Sequence, residues 1–271
     1  MKLLEYSNNK YVIDFVNWIE PKLSNENSFN HSYLSKKPKK KYVFNSIYSA
    51  FNSYSWRESF DEKQNILSKY SEKINSGLNK NQYELVLQAC MDILEWGGVK
   101  NNGNVNRINQ LDKEIIKYLL YVKNIIVLNS CDLDEFSCTN IHCNSGFSKI
   151  YSTIIDGFII YDSRVSCALC YFVRSWAEEK GLREIPDNLK LAFSIGRGNN
   201  KDRDRNPSKG NYSFFKLNNN NYLKNNIIAS WLLKLIIDNT KSKFNELSPN
   251  MQIRALESAM FMIGYKIPGG K

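Results

Sequence analysis

Asn144-Ser145-Gly146-Phe147-Ser148-Lys149 opens a run that continues as Ile150-Tyr151-Ser152-Thr153-Ile154-Ile155-Asp156-Gly157 and closes on Phe158-Ile159-Ile160-Tyr161-Asp162-Ser163-Arg164-Val165. Its apolar spacing predicts a short helix over residues 147–155, ended by the Asp156-Gly157 break. Residues 158–161 read as a brief extended apolar piece. A long helix over residues 163–180 follows, with Val165, Leu169, Phe172, Val173 and Trp176 inward and Gly181 as its C-terminal cap. One lysine therefore opens one helix, and one aspartate opens the next, 13 residues later.

The same helical period extends outward in both directions. Helices are predicted over residues 11–20, stopped by Pro21, and over residues 42–54, 61–74, 82–96 and 112–123. Gly97-Gly98 ends the helix over residues 82–96. Residues 222–238 are apolar on every face, which places that helix centrally. Ser248-Pro249 caps a last helix that buries Ile253, Leu256, Met260 and Ile263. The expected fold class is all-α: one helical unit over residues 1–271, with an N-terminal lobe (1–130) and a hairpin lobe (131–271) around a cleft.

Composition bounds the function. The chain has 271 residues, 42% of them hydrophobic and 13% aromatic, enough for a full core without disulfides or metal. Six spread cysteines make no disulfide framework, and no apolar run of about 18 residues or early apolar stretch points to a membrane span or secretory signal. The expected setting is a reducing cytoplasm. With 37 Lys and Arg against 27 Asp and Glu, the net charge is +10, which favours a polyanionic partner. The surplus has two addresses. Lys36, Lys37, Lys39, Lys40 and Lys41 read either as a solvated linker or as a phosphate-contacting arm. Arg197, Lys201, Arg203, Arg205, Lys209 and Lys216 lie in a segment rich in Gly, Asn and Pro, and so in a loop.

Ser148-Lys149 and Ile160-Tyr161-Asp162-Ser163-Arg164-Val165 resemble the helix-hairpin-helix DNA glycosylase superfamily, with the closest likeness to bacterial 8-oxoguanine-glycosylase-like proteins. Glu95-Trp96-Gly97-Gly98-Val99, Arg205-Asn206-Pro207-Ser208 and residues 254–265 are similar to the same group. The hairpin here carries one glycine, Gly146, where the family pattern carries two, and the lysine-to-aspartate gap is shorter than in well-known members. The resemblance implies a monomeric, cofactor-free enzyme that flips and excises a damaged or modified base from double-stranded DNA. A role against phage DNA goes with that likeness.

Breaking an N-glycosidic bond builds positive charge on the sugar, and a fixed carboxylate beside it stabilises that charge or activates the attacking group. Asp162 suits this role; capping the helix is the competing and compatible reading. Lys149 is either an amine nucleophile, which needs a lowered proton affinity, or a phosphate contact. Backbone N–H groups at Ser145, Gly146 and Phe147 either hold a DNA phosphate at the helix start or belong to a plain helix–helix turn. Arg164 either orients Asp162, grips a phosphate or forms a surface ion pair. Arg197, Arg203 and Arg205 are further DNA-binding positions. Trp96, Tyr161, Phe214 and Trp56 divide between core packing and stacking on a flipped base. Asn102, with Asn104 and Asn106, lies in a polar loop placed to read base edges. Cys131, Cys138, His142 and Cys143 lack zinc-knuckle spacing, so no metal is expected. No Ser-His-Asp pattern or nucleotide loop is present. The alternative function is a non-catalytic DNA-binding protein with the same fold; a third is an RNA-binding or structural helical protein.

Overall fold

The computed structural model describes residues 1–36, 39–100, 103–196 and 203–268, and of residues 137 and 138 the backbone only. In chain order the elements are α1 (Leu3–Ser7), α2 (Lys10–Ser24), β1 (His31–Lys36), β2 (Lys39–Phe44), α3 (Ile47–Asn52), α4 (Phe60–Asn79), α5 (Tyr83–Trp96), α6 (Asn104–Leu111), α7 (Ile115–Ile125), α8 (Phe147–Ile154), α9 (Ser163–Glu179), β3 (Ala192–Phe193), β4 (Phe215–Lys216), α10 (Tyr222–Asn239) and α11 (Pro249–Ile263). The protein is mostly helical, and no helix among the described residues is long and apolar enough to cross a membrane. The buried apolar side chains, from Tyr6 to Ile267, form one contiguous cluster.

Local chemistry explains most element starts. Asn9 caps α2 by accepting from the Tyr11 and Val12 amides, and Ser59 and Glu62 form a reciprocal capping box on α4. α10 is buried on nearly every face, as its uniform apolarity predicts, and Trp231 within it donates its indole N–H to the Leu128 carbonyl (2.7 Å).

Two expectations of the fold are corrected. Helix α2 runs through Pro21 to Ser24, because fully buried Leu23 holds the last turn against the core. The all-α class is also too strict: two small two-stranded sheets accompany the helices. The first replaces the expected start of a helix at residue 42 and the linker at residues 36–41. There β1 and β2 pair antiparallel, with Tyr33 opposite Tyr42 and Leu34 opposite Lys41. Their buried face alternates through His31, Tyr33, Tyr42 and Phe44, a period-two pattern in pieces too short to stand out in the sequence. Tyr33 stacks on Tyr265 at the end of α11, with ring centres 4.8 Å apart. Helix α3 begins only after Ser46, which caps it.

Candidate active site

All eight residues of α8 are buried, so Lys149 on its first turn has little access to water. It is 5% exposed, and its Nζ donates to the Ser145 carbonyl at 2.8 Å. No carboxylate pairs with it directly among the described residues. Its stem lies across Gly97: a Cβ there would sit 2.4 Å from Lys149 Cδ. Gly97 has an ordinary helical φ of −71°, so the glycine is required by space and not by backbone conformation. Burial lowers the proton affinity of Lys149 below the usual 10.5. Asp162 and Glu257 pull it back up, and Lys63 pushes it further down.

The hairpin at the head of α8 differs from expectation. The Gly146 and Phe147 amides both donate to Asn144 Oδ1 (2.8 and 3.1 Å), so they are already capped and are not offered to a phosphate. Phe147 is core, at 1% exposure. A Cβ on Gly146 would meet Asn104 Nδ2 at 2.3 Å, so the close approach is made by Asn104 rather than by DNA. Asn104 itself is buried at the start of α6 and donates to the Val99 carbonyl, which corrects its placement in a polar reading loop. Ser145 contributes its carbonyl, which holds Lys149. Asn102 and Arg197 lie outside the described residues.

The extended piece before Asp162 is anchored from several sides. The Ile159 amide donates to Ser230 Oγ and the Ile160 amide to Glu257 Oε2 (2.9 Å), while the Tyr161 carbonyl accepts from the Tyr222 hydroxyl. Asp162 then caps α9: its Oδ1 accepts from the Arg164 and Val165 amides at 2.8 and 3.0 Å. One oxygen thus holds the carboxylate in place and the other, Oδ2, is without a hydrogen-bond partner among the described residues. Tyr161 is fully buried, with its hydroxyl spent on the Ala192 carbonyl (2.6 Å), so it is core and not a base-stacking face. Phe214, at 7% exposure, is core as well.

Aromatic side chains cluster beside Gly97 and Arg164, the neighbours of Lys149 and Asp162. Half-buried Trp96 ends α5 beside Gly97, and its indole donates to Glu58 Oε1 at 2.9 Å. Trp56 meets Trp96 edge-on at 5.9 Å and Phe261 at 5.6 Å. The Arg164 guanidinium lies over Phe261 (4.2 Å) and Tyr265 (5.1 Å), a cation–π contact rather than a surface ion pair. Tyr54 joins the same group, its ring 6.0 Å from Phe261 and 5.2 Å from Lys63 Nζ, and burial raises the pKa of its hydroxyl.

Sequence reasoning missed Lys63 and Glu257. Lys63 Nζ bonds Glu257 Oε1 and Ser258 Oγ, both at 3.0 Å, with the charged pair 5% and 2% exposed. Glu257 Oε2 also accepts from Arg254 Nη1 (2.9 Å), and Arg254 Nη2 bonds the Ser152 carbonyl on α8. Burial works against the Glu257 carboxylate, but Lys63, Arg254 and the Ile160 amide hold its pKa below the ordinary value. Its position was a readable signal, since Glu257 falls on the same helical stripe as Ile253, Leu256 and Met260.

The expected DNA-binding arginines divide. Arg205 is 5% exposed and bonds the Tyr265 carbonyl, Ser163 Oγ and the Ile195 carbonyl, so it is a strut beside the head of α9 and not a phosphate contact. Arg203 is half-buried with its guanidinium 5.8 Å from the Tyr265 ring. A separate groove of about 860 Å³ opens on the far end of α8, lined by Ser152, Thr153, Lys123 and Arg254, and contains neither Lys149 nor Asp162. No family model, curated protein or solved structure matches the chain.

Proposed function

We propose that this chain is a DNA glycosylase with a helix-hairpin-helix glycosylase-like arrangement, which flips a damaged or modified base and cleaves its N-glycosidic bond. The observation that carries the reading is Asp162, capped through one oxygen with the other unpartnered among the described residues, acting through space on a buried lysine of lowered proton affinity. The C1′–N bond breaks with its electron pair leaving on the base. Asp162 Oδ2 supplies negative charge to the cation that grows on the sugar. The neutral Lys149 amine gives its lone pair to C1′, and the proton it sheds goes to solvent or to the departing base. Where water attacks instead, the product is an abasic site. Trp56, Trp96 and Phe261 supply stacking faces for the extruded base.

The test is release of bases from genomic and phage DNAs, scored as abasic sites. Wild-type protein generates them from at least one DNA, and Asp162→Asn, whose Oδ1 retains the cap, lowers the rate by about 10²- to 10⁴-fold. If no DNA yields abasic sites above the Asp162→Asn level, the enzyme reading is rejected in favour of non-catalytic DNA binding. Preference for phage DNA over host DNA marks a defensive role.

A further inference from the structure

The β1–β2 ribbon has an outward face that the core does not use. Leu34 and Val43 are 65% and 63% exposed and sit diagonally across the pairing, Leu34 opposite Lys41 and Val43 opposite Ser32. Lys39, Lys40 and Lys41 are all exposed, and none of the three has an ion pair among the described residues. Lys40 instead lies 5.1 Å from the Tyr42 ring. Three consecutive cations with no acid opposite repel one another, and this arrangement is complementary to a polyanion.

The ribbon also connects to the candidate active site. Its inner face stacks Tyr33 on Tyr265, and the Tyr265 hydroxyl accepts from the Lys36 amide at 2.9 Å. The Arg164 guanidinium lies over that same Tyr265 ring, two residues from Asp162. The lysine-bearing end of the ribbon is therefore joined to the head of α9 through a single aromatic side chain.

We propose that the outward face of the ribbon is a docking surface for duplex DNA, in which Lys39 and Lys41 meet backbone phosphates and Leu34 and Val43 lie against the groove wall, Lys40 being on the Tyr42 side. A two-stranded ribbon fits the major groove, and lysines along it neutralise phosphates without reading sequence. The choice of DNA over another polyanion rests on the glycosylase reading. Its contact with Tyr265, whose ring carries the Arg164 guanidinium, places the ribbon to hold duplex beside a base extruded toward Asp162.

The experiment measures binding of a short duplex by Asp162→Asn protein, so that no chemistry intervenes, between 50 and 200 mM salt. Each phosphate neutralised contributes about 0.9 to the slope of log affinity against log salt. With Lys39→Ala and Lys41→Ala combined, binding is weaker at 50 mM, and the advantage of the parent protein shrinks about 12-fold across that range. The double arginine replacement keeps the charge and the parent slope. These residues are exposed, so all variants keep the parent Tm, which guards against misfolding. An alanine variant with unchanged affinity and slope overturns the proposal. So does lysine-dependent binding to phosphatidylserine vesicles with none to duplex. A lysine-dependent slope in a protein that makes no abasic sites leaves the ribbon a DNA surface and rejects only the glycosylase. Normal excision with unchanged binding does the reverse.

Discussion

Lys63 and Lys149 are both buried lysines, on the adjoining helices α4 and α8, and their surroundings are opposite. Lys63 reaches a carboxylate and a hydroxyl, and that carboxylate in turn holds an arginine and the backbone leading to Asp162. Lys149 has a carbonyl and, among the described residues, no direct counterion, and its charged neighbours Asp162, Glu257 and Lys63 act through space. A buried charge with full partners is structural wiring, because removing one partner strands the other. A buried amine without a counterion gives up its proton more readily, and a neutral amine is the nucleophilic form.

The largest expected effect separates the two lysines by chemistry. In Lys149→Met the covalent adduct trapped by borohydride during base excision disappears, while in Lys63→Met it persists in whatever protein remains folded. An adduct that survives Lys149→Met assigns the nucleophile elsewhere and leaves Lys149 with no special role. Stability runs the other way. Lys63→Met costs about 3–5 kcal/mol by leaving Glu257 short of its partner, a fall in Tm on the order of 10 °C by calorimetry. Lys149→Met stays close to wild type. Equal losses in the two variants would erase the distinction.

A smaller effect tests how Lys149 is held. Gly97→Ala puts a methyl group into the lysine stem at a backbone position that tolerates alanine. The expected cost is about 1–3 kcal/mol of stability, with a larger proportional loss of adduct formation. An unaltered rate would show that the placement of the stem across Gly97 is unimportant.

The smallest effect is in pH dependence. The folded pKa of Lys149 lies below 10.5, so adduct formation rises with pH through a value under that of free lysine. Between the folded and unfolded values the unfolded chain carries a proton that the native chain lacks. Native stability therefore rises with pH across that window, and the burial penalty is full below it. Lys149→Met flattens this rise. Among its charged neighbours Asp162, Glu257 and Lys63, only Lys63 lowers the proton affinity, so Lys63→Met moves the adduct profile to higher pH. A profile unmoved by Lys63→Met would mean that the two lysines do not sense one another.

Much of the helical order was legible because it depends on short-range pattern. The α8 start, the 158–161 piece and the α9 start follow from a cap, a Gly break and a 3.6-residue stripe within one contiguous stretch. The ribbon was not legible, since its alternation spans only a few residues on each strand and Tyr42 and Phe44 blend into the helical spacing of α3. At the site, Asp162 as a helix cap was readable from its position alone. Arg205 was misread, and Tyr161 was left divided between core and base stacking, because residue type does not report exposure: both side chains are spent on the interior, while the Phe147 amide is taken by Asn144.

By itself the sequence determined where helices start and stop, the place of Asp162 at the head of α9, and the surplus of positive charge. Only the tertiary structure decided which charges face one another. Glu257 lies 194 positions from Lys63 and 97 from Ile160, yet hydrogen bonds join it to both. The same packing sets Lys149, by contrast, against Gly97 with no counterion among the described residues. Local pattern sets backbone conformation through neighbours within a turn or two. The proton affinity of a buried group depends on what other elements bring to it, and that is settled only when the helices pack.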